Sequence, residues 1–213
     1  TPAVRVRPLP RQDVLWNQPM PEPHFARFAS WTRRYAQAPT VQAQAELEVE
    51  GIDLARVRLK ALADLIQTNP QRALQRSVPT STRQALPDSV KALVEDIVNT
   101  RGDYDAVCVL PLPGHERESA PIVRSARIDG TTCRVYTFGQ GLDYVTRKGV
   151  PLNGIAVPAS AAEAPPTDPI GLRPAKLMAL NPSPARVLDP TETAAFKTRQ
   201  PSEPVCTATG STL

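Results

Sequence analysis

Four groups of residues are of types that could do chemistry. Arg101-Gly102-Asp103 is a tripeptide used as a cell-adhesion signal; His24 and His115 are the only histidines; Cys108, Cys133 and Cys206 are the only thiols; and Gly139-Gln140-Gly141 has the spacing that opens a phosphate loop. Each needs companions. A histidine base needs a nucleophile, but neither histidine comes with a Gly-x-Ser-x-Gly elbow or a cysteine in a protease-like context. His115, in "PGHERESA", reads as a solvated loop residue. Zinc needs clustered His/Cys ligands, and the sequence has neither a C-x-x-C pair nor His/Cys at ligand spacing. The Gly-x-Gly pair lacks a third glycine or a Lys-Ser/Thr before a helix, which excludes a phosphate cradle. Asp103 and Asp105, on a strand start, define no acid-base pair. The sequence therefore assigns no catalytic residue, no cofactor site and no cofactor, and the chain reads as a non-enzyme.

The cysteines leave one sharper idea. Cys206 lies in "EPVCTATG", where a lone thiolate could cap a zinc ion in a neighbouring catalytic domain, as an inhibitory pro-segment does. An intermolecular disulfide, a bridge to another cysteine of the chain, or an unremarkable thiol are the alternatives. Cys108 and Cys133 both fall in candidate strands of one small β unit and read as two buried free thiols, with a disulfide between them as the alternative.

Elements must position these groups. Phe25, Phe28, Trp31 and Tyr35 recur at spacings of three, three and four, which puts all four on one helical face. That face either docks on the body of the protein or forms a patch for a partner or a sugar, so the four are the partner-binding candidates. Residues 42–68 carry a strong helical pattern, with Gly51 as the point where it breaks in two. Asn69 is the expected cap of a further helix with Pro70 at its first position. "STRQALPDSVKALVEDIV" predicts two short helices, the second burying Val90, Leu93, Val94 and Ile97 and ending at Gly102. Strands follow over residues 104–110, 121–128, 131–138 and 149–157, with Asp129-Gly130 as a hairpin turn. Two further strands are predicted around 175–180 and 185–188. Adhesion would require Arg101-Gly102-Asp103 on a loop tip. At a helix-to-strand junction it reads as a boundary.

Of the 213 residues, 24 are proline, roughly twice the usual ~5%. They cluster toward the ends. The resulting layout is an extended Pro-rich arm over 1–22, a helical subdomain over 23–101, a small β domain over 102–190 with an internal linker at 158–169, and an extended tail over 191–213. The fold class is α+β: a helical subdomain, then a small, mostly antiparallel β barrel or sandwich, with extended arms at both ends. Net charge is +4, with acids interspersed among the bases, so no nucleic-acid partner is expected. No apolar run reaches the roughly 18 residues of a membrane span. The chain begins at Thr1, which leaves room for a removed leader, and its Arg-rich, aromatic-poor composition fits a secreted bacterial protein.

"FARFASWTRRYAQAP", the run from "EGIDLARVRLKALADLIQ" to "VNTRGDYDAV", and "DGTTCRVYTFGQGLDYVTRKGVPLNGIAV" resemble an N-terminal module of large secreted bacterial proteins of the Verrucomicrobia and Planctomycetes type. That resemblance spans roughly residues 25–190. It rests on Trp31, Gly51, Pro70, Pro79, Leu86, Pro87, Gly102, Asp103 and Gly149, which are architectural rather than catalytic positions. In such proteins metalloprotease-, lectin- or immunoglobulin-like domains follow. The resemblance implies an extracellular or cell-surface, non-catalytic pro-region or scaffold whose partner is a downstream domain of the same protein. Two alternatives stand beside it. One is a subunit of a filament or surface layer, a homo-oligomer whose arms clasp neighbouring subunits. The other is a carbohydrate-binding module using Tyr136, Phe138 and Tyr144.

Overall fold

The computed structural model describes residues 15–108, 122–139, 145–163 and 171–181. Ahead of the strands, the described residues form helices α1 (Pro23–Gln37), α2 (Val41–Thr68), α3 (Pro70–Gln75), α4 (Thr80–Gln84) and α5 (Asp88–Lys91). Their boundaries follow local chemistry. The Thr40 hydroxyl accepts the Ala43 N–H at 3.2 Å and caps α2, and the Asn69 side chain accepts the Arg72 N–H at 3.0 Å, with Pro70 opening α3. Prolines 79 and 87 stand just before α4 and α5.

Gly51 does not break α2, which runs unbroken for 28 residues. It is instead the seat of Trp31. A Cβ at position 51 would lie 2.1 Å from the indole ring, and with none there the Trp31 Nε1–H reaches the Leu47 carbonyl at 2.8 Å. The helix tolerates glycine's poor propensity because a large ring packs against its bare backbone.

Strand β1 (Asp96–Cys108) starts earlier than expected. Ile97 therefore belongs to a strand, where it is exposed, and not to the buried stripe of a helix. Gly102 lies inside β1 rather than ending a helix, and the expected domain boundary at 101/102 falls within this strand. With β2 (Ile122–Ile128), β3 (Thr131–Tyr136), β4 (Arg147–Pro158) and β5 (Lys176–Leu180) it closes a barrel in the order β1-β2-β3-β5-β4. Only β3 and β5 run parallel. Asp129 and Gly130, with φ of 47° and 77°, make the expected β2–β3 hairpin turn. This is the five-stranded Greek-key barrel of the OB type. The expected α+β class, helical part first and small barrel second, is what the chain adopts. Of the two later strands, 175–180 is β5; residues 185–188 lie outside the described residues.

The barrel has a core of its own and a second one shared with the helices. The barrel interior is filled by Val98, Tyr104, Ala126, Cys133, Val135, Leu152, Ala156, Met178 and Leu180. On the opposite faces of β4 and β5, Ile155, Val157, Leu177 and Ala179 pack on Phe25, Leu62, Ala63, Ile66, Ala73 and Leu74 of α1, α2 and α3. Burial on both faces explains the uninterrupted apolar runs "GIAV" and "LMAL". The described part of the expected N-terminal arm is packed rather than extended into solvent. Trp16 is buried, edge-on to Phe28 at 6.4 Å, and Glu22 pairs with Arg72 and Arg76. A short 3-10 turn (Ala159–Ala161) opens the expected linker and packs on the same core.

Candidate functional site

The Arg-Gly-Asp tripeptide is a clasp inside the sheet. Between the pairs Gly102↔Val150 and Tyr104↔Arg147, β1 contributes Asp103 alone while β4 contributes Lys148 and Gly149, so β4 bulges there. Gly149 has φ +58°, the left-handed conformation of the glycine in such a bulge. Its carbonyl accepts from the Arg101 guanidinium at 2.9 Å, and its N–H donates to Asp103 Oδ1 at 3.0 Å. Lys148 Nζ stands 3.5 Å from Asp103 and 3.6 Å from Asp105. The Gly149 hydrogen bond, opposed by desolvation and aided by Lys148 and Arg127, holds the Asp103 carboxyl below its ordinary value. The tripeptide is thus hydrogen-bonded on a strand, and the helix-to-strand junction expected for it is not where it lies.

A second polar cluster joins barrel to helices. Arg58, wholly buried on α2, donates to both carboxylate oxygens of Glu95 at 2.6 and 3.1 Å and to the Arg76 carbonyl at 2.8 Å. Its guanidinium carbon sits 5.6 Å from the Phe25 ring centre and 5.3 Å from that of Phe28. Glu95 also accepts the Val78 N–H at 2.5 Å, and Arg83 donates to its backbone carbonyl. Glu95 immediately precedes β1, so this pair fixes where the barrel leaves the helical layer. A sequence signal existed for it: Arg58 falls on the face of Ala55, Leu62 and Ile66, where a charge is expected only with a buried partner.

The described residues also form concavities, of which two bear on a site. At one mouth of the barrel, a cavity of about 360 Å³ lies between the start of β1, the β2–β3 turn and the start of β5. Lys176 and Asp96 pair across its rim at 2.7 Å, and that hydrogen bond holds the Lys176 ammonium above its ordinary value. Cys133 lines it with a thiol that burial pushes up, away from the reactive thiolate. The other is a groove of about 380 Å³ between α1 and the α4 segment. Its walls are Trp16, Tyr35, Ala36, Pro79, Ala85 and Leu86, with Asn17, Thr32, Arg33, Ser81 and Thr82 among them.

The predicted partner residues divide. Phe25, Phe28 and Trp31 are buried in the core, with Phe28 stacked on Trp31 at 5.5 Å; only Tyr35, half-buried and 5.2 Å from Trp31, reaches the groove. Cys133 is buried as expected, whereas Cys108 is exposed, and both are free thiols. His24 is exposed on α1. Cys206, His115 and Tyr144 lie outside the described residues. Tyr136 and Phe138 are half-buried against the helix-facing core. Among the described residues no group of three or more His, Cys, Asp or Glu is placed to hold a metal ion, and no helix is long and apolar enough to cross a membrane. No protein-family model, curated protein or solved structure matches the chain.

Proposed function

We propose that the chain is a non-catalytic docking module of a secreted bacterial protein, acting as a pro-region or scaffold for a downstream domain. One observation carries the reading. The charged groups at the described polar clusters serve the fold: Arg58 with Glu95 at the helix–barrel joint, Arg101 and Asp103 on Gly149, Lys176 on Asp96. Beside them stands a side groove where apolar groups such as Tyr35, Pro79 and Leu86 mix with polar ones, a surface on which a protein partner can pack. That groove equally supports the second reading, a subunit that clasps its neighbours in an extracellular assembly. The saccharide reading is weaker, because Tyr136 and Phe138 lean on the helical layer.

Intact mass of the denatured chain and light scattering of the folded protein, both on material from the native source, separate the two. A denatured mass well above 23.1 kDa supports the module of a larger protein. A 23.1 kDa chain running as a large oligomer sinks that reading and favours the assembly subunit.

A further inference from the structure

We propose that the first half of β1 is an open strand edge at the barrel mouth, and that it takes up an extended segment of a partner polypeptide by strand addition. This goes beyond the docking role above. It names a surface away from the groove and the chemistry that recognises its partner.

β1 is divided between two neighbours. Residues 96–102 pair with β4, and β2 joins only from Asp103 onward, so among the described residues no strand pairs with the other edge of the first half. Two bonds fix which way its main-chain groups point. Asn181 donates its backbone N–H to the Asn153 carbonyl at 2.8 Å, so Asn153 turns its ladder groups toward the β5 side and not toward β1. Its opposite number, Asn99, therefore sits in a non-hydrogen-bonded pair, while Val98 opposite Gly154 and Thr100 opposite Leu152 hold the bonds to β4. Further along, the Ala106 N–H reaches the Thr146 hydroxyl just before β4, which fits the same alternation. Asp103, Asp105 and Val107 accordingly face β2. Ile97 and Asn99 point the same groups, an N–H and a C=O each, into the gap where β2 is missing.

That gap is the mouth cavity of about 360 Å³, with Ile97 and Asn99 on one wall and Ile128, Asp129 and Thr131 of the β2–β3 hairpin on the other. Its apex is Gly102, where a Cβ would stand 2.7 Å from the Arg127 carbonyl, and the two strands part from there. Proline, lysine and bulges are the usual ways to blunt an exposed edge. Residues 96–101 contain neither proline nor lysine, the bulge of β4 lies beyond them, and Ile97 presents an exposed β-branched side chain. An extended polypeptide is the ligand whose own N–H and C=O groups recur at the two-residue repeat of about 7 Å that this edge offers. It runs antiparallel to β1, on the line that β2 leaves at Arg127. Alternate side chains point inward onto the buried Val98, Cys133 and Met178, which selects apolar residues, and the others stand outside beside Ile97 and Asn99. Proline is excluded at the outward positions, because their N–H groups make the ladder bonds.

The test is amide hydrogen exchange by NMR on the 213-residue chain, with anisotropy titrations of fluorescein-labelled peptides acetyl-Thr-x-Thr-x-Thr-Lys-amide, x being alanine, valine or leucine. In the free chain the Ile97 and Asn99 amides should exchange about tenfold or more faster than those of Val98 and Thr100, which β4 holds. At least one peptide should bind saturably and protect Ile97 and Asn99. Methylating the threonine nitrogens, which face β1, should weaken binding about tenfold or more, while methylating those of x keeps most of it. Ile97→Pro removes a donor that faces only the gap, so it should weaken binding by a similar factor and keep the unfolding midpoint of the parent chain. The methylated peptides need no altered protein, so a variant that fails to fold does not decide the matter. Slow exchange at Ile97 and Asn99 in the free chain means that the edge is already taken, and overturns the proposal. So does the absence of saturable binding by every peptide, binding indifferent to which nitrogens are methylated, or protection at Tyr35 instead of β1. Protection that rises with chain concentration alone gives the edge to a second copy and overturns the partner assignment. None of these results bears on whether the chain belongs to a larger protein, which rests on the native mass.

Discussion

Replacing Glu95 by leucine removes a carboxylate that accepts two bonds from Arg58 and one from the Val78 N–H, all out of solvent. The guanidinium left behind keeps the Arg76 carbonyl and the two phenylalanine rings but has no counter-charge. Breaking one side of a fully buried pair costs about 3–5 kcal/mol. For a chain of this size, at about 2–4 °C per kcal/mol, that is a fall in melting temperature of about 6–20 °C. Arg58→Met should cost a similar amount by stranding the carboxylate. Arg58→Met with Glu95→Leu removes both charges of the pair and leaves the Val78 N–H and Arg76 carbonyl to be re-satisfied, at about 1–3 kcal/mol each. The double variant should therefore be no less stable than the worse single one, with a coupling energy of at least about 2 kcal/mol. Urea denaturation followed by tryptophan fluorescence measures all four proteins, since Trp16 and Trp31 are both buried and report unfolding. Additive single effects, or a Glu95→Leu cost below about 1 kcal/mol, would show that the pair is not the joint described here.

Two further outcomes test other parts of the fold. Gly51→Ala sets two effects of opposite sign against each other: helix propensity favours alanine by about 1 kcal/mol, while the new Cβ would sit 2.1 Å from the Trp31 ring. Displacing that ring also loses its bond to Leu47, so the variant should be destabilised by about 1–3 kcal/mol net, with altered near-ultraviolet circular dichroism; a more stable variant would refute the seat. The second concerns acid. Burial raises the Glu22 carboxyl, but its hydrogen bonds and ion pairs with Arg72 and Arg76 outweigh this and leave it below its ordinary value. A depressed carboxyl adds stability that is complete above its unfolded value and fades as pH falls through the folded one. Glu22→Gln should thus lower stability at neutral pH and flatten its decline below about pH 4.5; an unchanged slope in pH-dependent denaturation would count against the pairing.

What could be read from sequence was local. Asn69 with Pro70, and Asp129 with Gly130, each specify a cap or a turn from adjacent residues, and both stand where expected. Gly51 looks like a helix break in its own sequence window because its role depends on Trp31, which lies on a different helix. The segment around Val90, Val94 and Ile97 fits a helical stripe, yet the chain turns into β1 at Asp96, because residues 96–102 pair with residues 150–156 of β4. No window around Ile97 contains that partner. The same distance hid the clasp: Arg101 and Asp103 look like a recognition motif until Gly149, with its positive φ, is placed beside them.

The aromatic stripe shows how one periodic signal can serve two ends. Spacings of three and four keep its members on one side of α1, but a helix of 3.6 residues per turn does not hold them at one depth. Phe25 and Phe28 face Arg58, Trp31 rests on Gly51, and by Tyr35 the helix has reached its last turn, where the covering layer ends. The readings of that stripe as core and as partner surface therefore apply to different members of it. Burial of the first three fixes the position and tilt of the fourth, since Tyr35 packs on Trp31 while its other side lines the groove. A ring held in this way loses little freedom when a ligand arrives, which lowers the ordering cost of binding. The same argument separates this site from the barrel mouth. There the rim charges of Lys176 and Asp96 pair with each other at 2.7 Å, and no aromatic ring is held at the edge in the way Tyr35 is.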